Sequence, residues 1–258
     1  MKEKNPVQSA ERIFNVLEAV AKAGSIGLME LSNHLDLHKS TTHRLLTSLS
    51  YMGYVEQDDE TNKYRLTFKI LELSGKFLAK VDIVSIAHPY LEKLANQCQE
   101  TVHLVQRSGT NVVYIDKISP LISRDTSIRM GSQVGLARPM YCSAVGKSIL
   151  SNMTADEVKD VWNNSTIEKK TENTIISFEK LLKELEQVHY KGYALDNEEN
   201  EIGVRCIGAC IFNHQKQAKY AFSISAPVSR LSDEKIAEFK EYVLDVKREL
   251  SLKLGYNG

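Results

Sequence analysis

The stretch Lys39–Tyr51 (KSTTHRLLTSLSY) constrains this chain more than any other. Leu45, Leu46 and Leu49 recur at helical spacing and Met52 continues the stripe. The opposite side carries Lys39, Ser40, Thr41, His43, Arg44, Thr47, Ser48 and Tyr51, with no acid among them, in a chain balanced at 33 basic and 33 acidic residues. A helix with one apolar face and one donor-rich, acid-free face can lie in a DNA major groove. There Lys and Arg neutralise phosphates or read guanine, and hydroxyls serve either target.

An ordinary amphipathic surface helix has the same one-sided pattern, so the flanks must separate the two. Ser9–Ala23 reads as a helix with Ile13, Val16, Leu17 and Val20 on one face, broken by Gly24–Gly27. Leu28–Leu35 is a second short helix, and a tight turn at Asp36–His38 feeds the third. Gly53 closes that third helix. Tyr54–Gln57 and Lys63–Leu66 then read as strands around the polar loop Asp58–Asn62. Helix, helix, tight turn, helix, hairpin is a winged helix-turn-helix.

These residues resemble a known family. Ser40–Leu46 (STTHRLL), Leu49, Gly53–Val55 and Tyr64–Leu66 look like the DNA-binding half of the IclR-type transcriptional regulators, and the likeness runs almost to the C-terminus. It implies a protein that binds double-stranded DNA through residues 1–66 and a small molecule through a GAF-like domain, 82–258, joined by a linker helix, 67–81. The fold class is then α+β. On that pattern the DNA contacts are Lys39, Ser40, Thr41, His43, Arg44 and Ser48, with Lys63 and Arg65 from the wing. Two family details differ: His38 stands where a Ser or Asn cap is usual, and Met29 where the second helix often has a Thr or Ser cap. Each lost cap costs about 1 kcal/mol.

The charge balance bears on how such a domain works. Residues 1–75 hold 9 Lys and Arg against 10 Asp and Glu. A lone copy therefore has no strong general attraction to DNA, and affinity must come from a local patch and several copies acting together. A homodimer, or the dimer of dimers usual in the family, on a near-palindromic operator is expected, with half-sites about one helical turn, roughly 34 Å, apart or a multiple of it. The N-terminus has no apolar signal core and no run approaches a membrane span. Four cysteines without a dense pattern suggest a reducing compartment, and a cytoplasmic protein is expected.

Beyond the wing, Thr67–Lys80 reads as a helix with Phe68, Leu71, Phe77 and Leu78 as its apolar members, and Val84–Gln99 as another containing Pro89. Thr101–Arg107 and Val112–Lys117 alternate around a Ser108–Asn111 turn. Ile128–Met130 reads as a strand and Gly131–Leu136 as loop. Ser143–Asn152 looks helical, Thr154–Glu157 is a capping box, and Ser177–Tyr190 is an amphipathic helix stopped by Gly192. Val204–Phe212 and Ala218–Ala226 are apolar strands, and Ser232–Leu254 is a closing helix.

Several patterns suggest chemistry and fail on inspection. Gly146-Lys147-Ser148 resembles the end of a phosphate-binding loop, but the position five residues before Gly146 is Tyr141, not Gly. Cys206, Cys210 and His214 repeat every four residues. In a strand that step covers about 13 Å at roughly 3.3 Å per residue, whereas two thiolates on one zinc lie within about 4.6 Å. Buried core cysteines fit better. No catalytic residue, metal site or cofactor is expected. An enzyme carrying an incidental winged helix, or a protein-interaction module, are the rival readings.

The carboxylate run Asp196–Glu201 (DNEENE) reads alone as a solvated loop. Gly192–Glu199 (GYALDNEE) with Gly203–Ile207 (GVRCI) looks like the signature of IclR-type effector domains, and Arg138–Lys147 (RPMYCSAVGK) and Ser223–Ser225 match the other pocket walls. The resemblance puts the ligand contacts on Arg138, Met140, Ala144, Val145, Asp196, Cys206, Ser223 and Ser225. Glu100–Leu104 (ETVHL), Val113–Ile118 (VYIDKI), Thr171–Ser177 (TENTIIS) and Asp196–Glu199 look most like the KdgR branch of the family. That implies a small organic acid, a sugar acid such as 2-keto-3-deoxygluconate, and repression of uronate or pectin breakdown genes. A guanidinium at Arg138 suits a ligand carboxylate, which it can pair bidentately.

Overall fold

A computed structural model describes residues 6–78, 82–121 and 131–258, which fall into two compact units, residues 1–81 and 82–258.

In the first unit, α1 (Gln8–Ala23), α2 (Leu28–His34) and α3 (Lys39–Tyr51) enclose a small core. Val16 and Val20 of α1 meet Leu31 of α2 and Leu46 and Leu49 of α3, all essentially out of water. Burying each such side chain is worth about 1.5–3 kcal/mol, so the leucine stripe of α3 must point inward and its polar side outward. The hairpin β1 (Val55–Gln57) and β2 (Tyr64–Leu66) closes the core with Val55 and Tyr64. Its register sets Glu56 opposite Arg65, and Ile26 bridges to Tyr64 as a minimal third strand. α4 (Lys69–Leu78) follows, tied back where Lys69 Nζ donates to Met52 O at 2.6 Å and lies 4.9 Å from the Tyr54 ring centre. It starts two residues later than its apolar pattern predicts, because Thr67 spends its hydroxyl on Gly53 O at 2.5 Å. Residues 79–81, the end of the expected linker, lie outside the described residues.

The second unit is a six-stranded antiparallel sheet with helices on both faces. Its strands are β3 (Thr101–Ser108), β4 (Asn111–Ile118), β5 (Ala137–Pro139), β6 (Ala194–Asn197), β7 (Val204–Phe212) and β8 (Ala218–Pro227), in the order β5-β4-β3-β8-β7-β6. Side chains alternate between faces. On β7 and β8, Ile207, Ala209, Ile211, Phe222, Ile224 and Ala226 meet α5 (Ile83–Cys98) and α9 (Asp233–Lys253). Cys210 and Ala221 face the other way, onto α6 (Ala144–Leu150), α7 (Ala155–Asn163) and α8 (Phe178–Lys191).

The short α6 sits directly on the sheet. A Cβ on Gly208 would lie 2.8 Å from Phe222 O and 3.4 Å from Val145 Cγ1, and one on Gly146 would lie 2.3 Å from the Met140 backbone. Only glycine permits both approaches, and they bring the start of α6 down beside β7 and β8. The expected Thr154 capping box forms, with Thr154 N to Glu157 Oε2 at 2.8 Å. Two edge strands, β5 and β6, are not assigned from the sequence, and β6 takes in Asp196 and Asn197, the start of the run that reads alone as a solvated loop. The expected strand Ile128–Met130 lies outside the described residues.

Candidate functional site

Two places gather the residues singled out from the sequence. The first is the outer face of α3. Lys39, Ser40, His43, Arg44 and Ser48 are exposed and Thr41 is half-buried. Thr42 turns inward, fully buried, with its hydroxyl on His38 O at 3.3 Å. His38 occupies the N-cap with extended backbone and makes no side-chain cap bond, and the first turn holds no acid. The opening of α3 thus offers N–H groups and the positive end of its dipole, an arrangement that suits a phosphate. Leu28, His38, Lys39, Ser40 and His43 line an open groove of about 630 Å³ there. At α2 the cap position is Gly27, not Met29, which is an exposed residue of the first turn. The expected cost of a missing Met29 cap therefore does not arise.

The wing differs from its sequence reading. Within its own strand Arg65 has no acidic neighbour, but the hairpin register puts Glu56 opposite it, and Arg65 Nε donates to Glu56 Oε1 at 2.8 Å. Lys63 is exposed and forms no ion pair among the described residues. Asp58 does not project from the tip: its Oδ1 accepts from Thr61 N and Thr61 Oγ1, both at 2.8 Å, and these bonds hold its carboxyl below the usual range.

The second place is a small, largely enclosed cavity of about 30 Å³ between α6, the sheet and the Gly131–Leu136 loop. Of the eight ligand positions implied by resemblance, Arg138, Ala144, Val145, Asp196, Cys206, Ser223 and Ser225 line it. Met140 does not. It is fully buried among Val105, Val112 and Ile149, and its backbone supports Gly146. Ser223 and Ser225 share a face of β8, with their hydroxyls 3.4 Å apart. Cys206 pairs with Ser225 across β7 and β8, and with Asp196 across β6 and β7. The wall thus comes from strand register, not from sequence proximity.

Asp196 Oδ1 accepts from Glu199 N at 2.8 Å and Asn200 N at 3.3 Å. Burial, and next the charge of Glu199, still push its carboxyl up to about 7, so at neutral pH it is protonated in a large fraction of molecules and can donate as well as accept. Burial raises the pKa of the Tyr114 hydroxyl to about 12, with the nearby Arg138 charge opposing the shift.

The sequence gives no cavity role to His103, Tyr114 or Ser132, which also line it, together with Gly131, Ser143, Asn200, Glu201 and Val204. His103 falls opposite Ser223 on β8, and its ring lies 4.8 Å from that of Tyr114. Burial, then Lys117 and Arg138, lower its pKa to about 3, so the imidazole is neutral. The available signal was one polar residue inside the apolar strand Val102–Val105.

Lys147 is no phosphate ligand. It is buried in α6, with Nζ 2.5 Å from Glu199 Oε1 and 3.2 Å from Glu184 Oε1. Burial alone would discharge it, but the two carboxylates outweigh that and raise its pKa. Thr171 and Thr174 hold the same turn, donating to Glu198 O and Glu199 O at 2.6 Å each. Cys206 and Cys210 both lie on β7, four strand residues apart, as the argument against a shared zinc requires. Among the described residues no cluster of His, Cys, Asp or Glu suits a metal, and no helix is long and apolar enough to cross a membrane.

Comparison with known proteins covers both units. Residues 9–59 match the IclR helix-turn-helix domain, and residues 75–252 match the bacterial transcriptional regulator IclR C-terminal domain. The HTH-type transcriptional regulator KdgR of Escherichia coli (strain K12) is 36% identical over 256 residues, which span 99% of this chain and 96% of that protein. The transcriptional repressor IclR of the same organism is 32% identical over 252 residues, 96% of this chain and 90% of its own. Among solved structures, the Thermotoga maritima IclR aligns with a TM-score of 0.64 at 32% identity, covering 96% of this chain and 99% of that one.

Proposed function

The chain belongs to the IclR family of bacterial transcriptional regulators, and from that premise we propose that it is a repressor released from its operator by a small sugar acid. In this reading Lys39, Ser40, Thr41, His43, Arg44 and Ser48 contact DNA. Arg44 reads a base, Lys39 and Ser40 position the helix on the backbone, and Lys63 adds a phosphate contact from the wing. Arg65 contributes less, because Glu56 already holds it. A dimer, or a dimer of dimers, engages a near-palindromic site from the cytoplasm. Effector binding in residues 82–258 shifts a two-state equilibrium that changes the placement of the DNA-binding units.

The observation that carries the effector class is Arg138. It is a cation in the lining of a cavity that, beside Asn200, Glu201, Cys206 and the apolar Ala144, Val145 and Val204, also presents hydroxyls, an imidazole and a carboxyl able to hold a proton. A ligand with a carboxylate at one end and hydroxyl or keto oxygens along its body uses all of these groups. 2-Keto-3-deoxygluconate has that chemistry, and the relative at 36% identity is a KdgR. Genes of uronate or pectin breakdown are the proposed targets. Calorimetric titration with this acid, glyoxylate, an aromatic acid and a neutral sugar tests the class. The sugar acid should bind tightest, and Arg138→Met should weaken it by roughly tenfold or more, in line with loss of a charge-assisted pair. Binding of only an uncharged or aromatic compound would sink the assignment.

A further inference from the structure

The cavity is too small for the ligand its walls suit. About 30 Å³ holds a water or two, whereas small-molecule pockets run from about 300 Å³ upward. Something that lines it must move. The walls on β7 and β8 belong to the centre of the sheet, and α6 is locked by the Gly146 and Gly208 contacts. The rest of the lining includes Arg138, Asn200 and Glu201 and, from the loop Gly131–Leu136, Gly131 and Ser132, and of these Ser132 hydrogen-bonds a polar side chain of the sheet inside the cavity. At its far end this loop is stitched to β4 by main-chain bonds, Tyr114 N to Leu136 O at 3.0 Å and Gly135 N to Tyr114 O at 2.8 Å. Ser132 itself is held through side chains: its hydroxyl meets His103 Nε2 at 2.7 Å, and its carbonyl accepts from Lys117 Nζ at 2.6 Å.

His103 is the fixed half of this contact. It is buried on a central strand, and Nδ1 meets Ser225 Oγ at 3.2 Å. A neutral imidazole has one donor and one acceptor nitrogen, and here both are taken, one by the sheet and one by the loop. The loop partner is a hydroxyl, the group a polyhydroxy or keto acid would bring. We propose that His103 is a ligand-binding residue whose Nε2 is occupied in the closed site by Ser132 Oγ, a resident stand-in for a ligand oxygen, and that the effector enters by displacing it. His103 then selects ligands with an oxygen at that position, and loop release accompanies binding. The ligand class rests on the sugar-acid reading above. The latch does not.

The two can be tested separately on the full chain. Ser132→Ala removes the competitor and leaves His103 in place. Hydrogen exchange without ligand should show amides 131–134 exchanging several-fold faster in Ser132→Ala, with β3 and β8 unchanged. Calorimetry with 2-keto-3-deoxygluconate should show Ser132→Ala binding roughly fivefold tighter than the parent, the equivalent of about 1 kcal/mol for one hydrogen bond no longer in competition. His103→Gln, which keeps a polar side chain, should show the same loop exchange as Ser132→Ala but bind the acid more weakly than the parent. Unchanged loop exchange in Ser132→Ala overturns the latch. Equal or weaker acid binding by Ser132→Ala overturns the displacement. If the parent binds no sugar acid at all, the effector class fails, while the exchange measurement still decides whether Ser132 is a latch.

Discussion

The outer face of α3 and the cavity in the second unit are both built from polar side chains, but they use them in opposite ways. On α3, Lys39, Ser40, His43 and Arg44 stand exposed, and among the described residues none of them forms an ion pair. In the cavity, Ser223, Ser225, His103, Ser132 and Asp196 all have partners before any ligand arrives. The difference follows from solvent. Water can satisfy an exposed donor until DNA replaces it. A buried polar group without a partner costs about 1–3 kcal/mol, so the cavity must satisfy itself. An outward site therefore waits open, whereas an inward one must be opened.

This contrast is broken most severely at Lys147, the most deeply buried charge next to the cavity. Lys147→Met should leave Glu199 buried without its cation and cost about 3–5 kcal/mol, read as a lowered denaturant midpoint. Replacing Lys147 and Glu199 together by apolar residues should recover most of that loss. If Lys147→Met alone is neutral, the pair is not what holds the Asp196–Asn200 turn.

The exposed face should answer through DNA and not through stability. Arg44→Ala is expected to cost roughly 1–3 kcal/mol of operator binding and to relax preference at one base position, while the unfolding transition stays where it was. Unchanged operator affinity at physiological salt would remove Arg44 from the contact surface.

A smaller effect comes from the proton on Asp196. Its pKa in the fold is raised to about 7, so the proton held below that pH is lost as pH rises through it. Deprotonation removes the proton that Asp196 can donate to a ligand oxygen and adds a negative charge to a cavity that must take an anion. Acid affinity should be flat below about pH 6 and fall above pH 7, at most about tenfold per unit. His103 does not titrate in this window, since its pKa lies near 3. Asp196→Asn should flatten the profile, and a slope that persists in that variant would assign the titration elsewhere. Smallest of all, Lys63→Ala should weaken every DNA sequence alike and reduce the salt slope by about one. Arg65→Ala should do less.

The same contrast explains what could be read from the chain. The winged helix was legible because its signals are local: a leucine stripe, a glycine stop, two short alternating strands. Local signals do not show the Arg65 partner there, since Glu56 lies nine residues away and meets Arg65 only in the hairpin register, nor the α2 cap, which is Gly27 and not Met29. In the second unit the long strands and capped helices were legible for the same reason. β5 and β6, three and four residues long, are too short to show alternation. The sequence rejects a phosphate role for Lys147 but cannot show its actual partners, because its carboxylates lie 37 and 52 residues away. His103 carries only the weak mark of a polar residue in an apolar strand, because its contacts are to Ser225 and Ser132, 122 and 29 residues distant.

The central claim is that an acid entering the buried cavity empties the exposed face. Its most direct measurement is fluorescence anisotropy of the full chain on a labelled operator, recovered by selection from random DNA, during titration with 2-keto-3-deoxygluconate. The acid should release the DNA from the parent at concentrations that leave Arg138→Met bound, and a neutral sugar should release neither. Release by the neutral sugar, or equal release of the parent and Arg138→Met, would contradict the account.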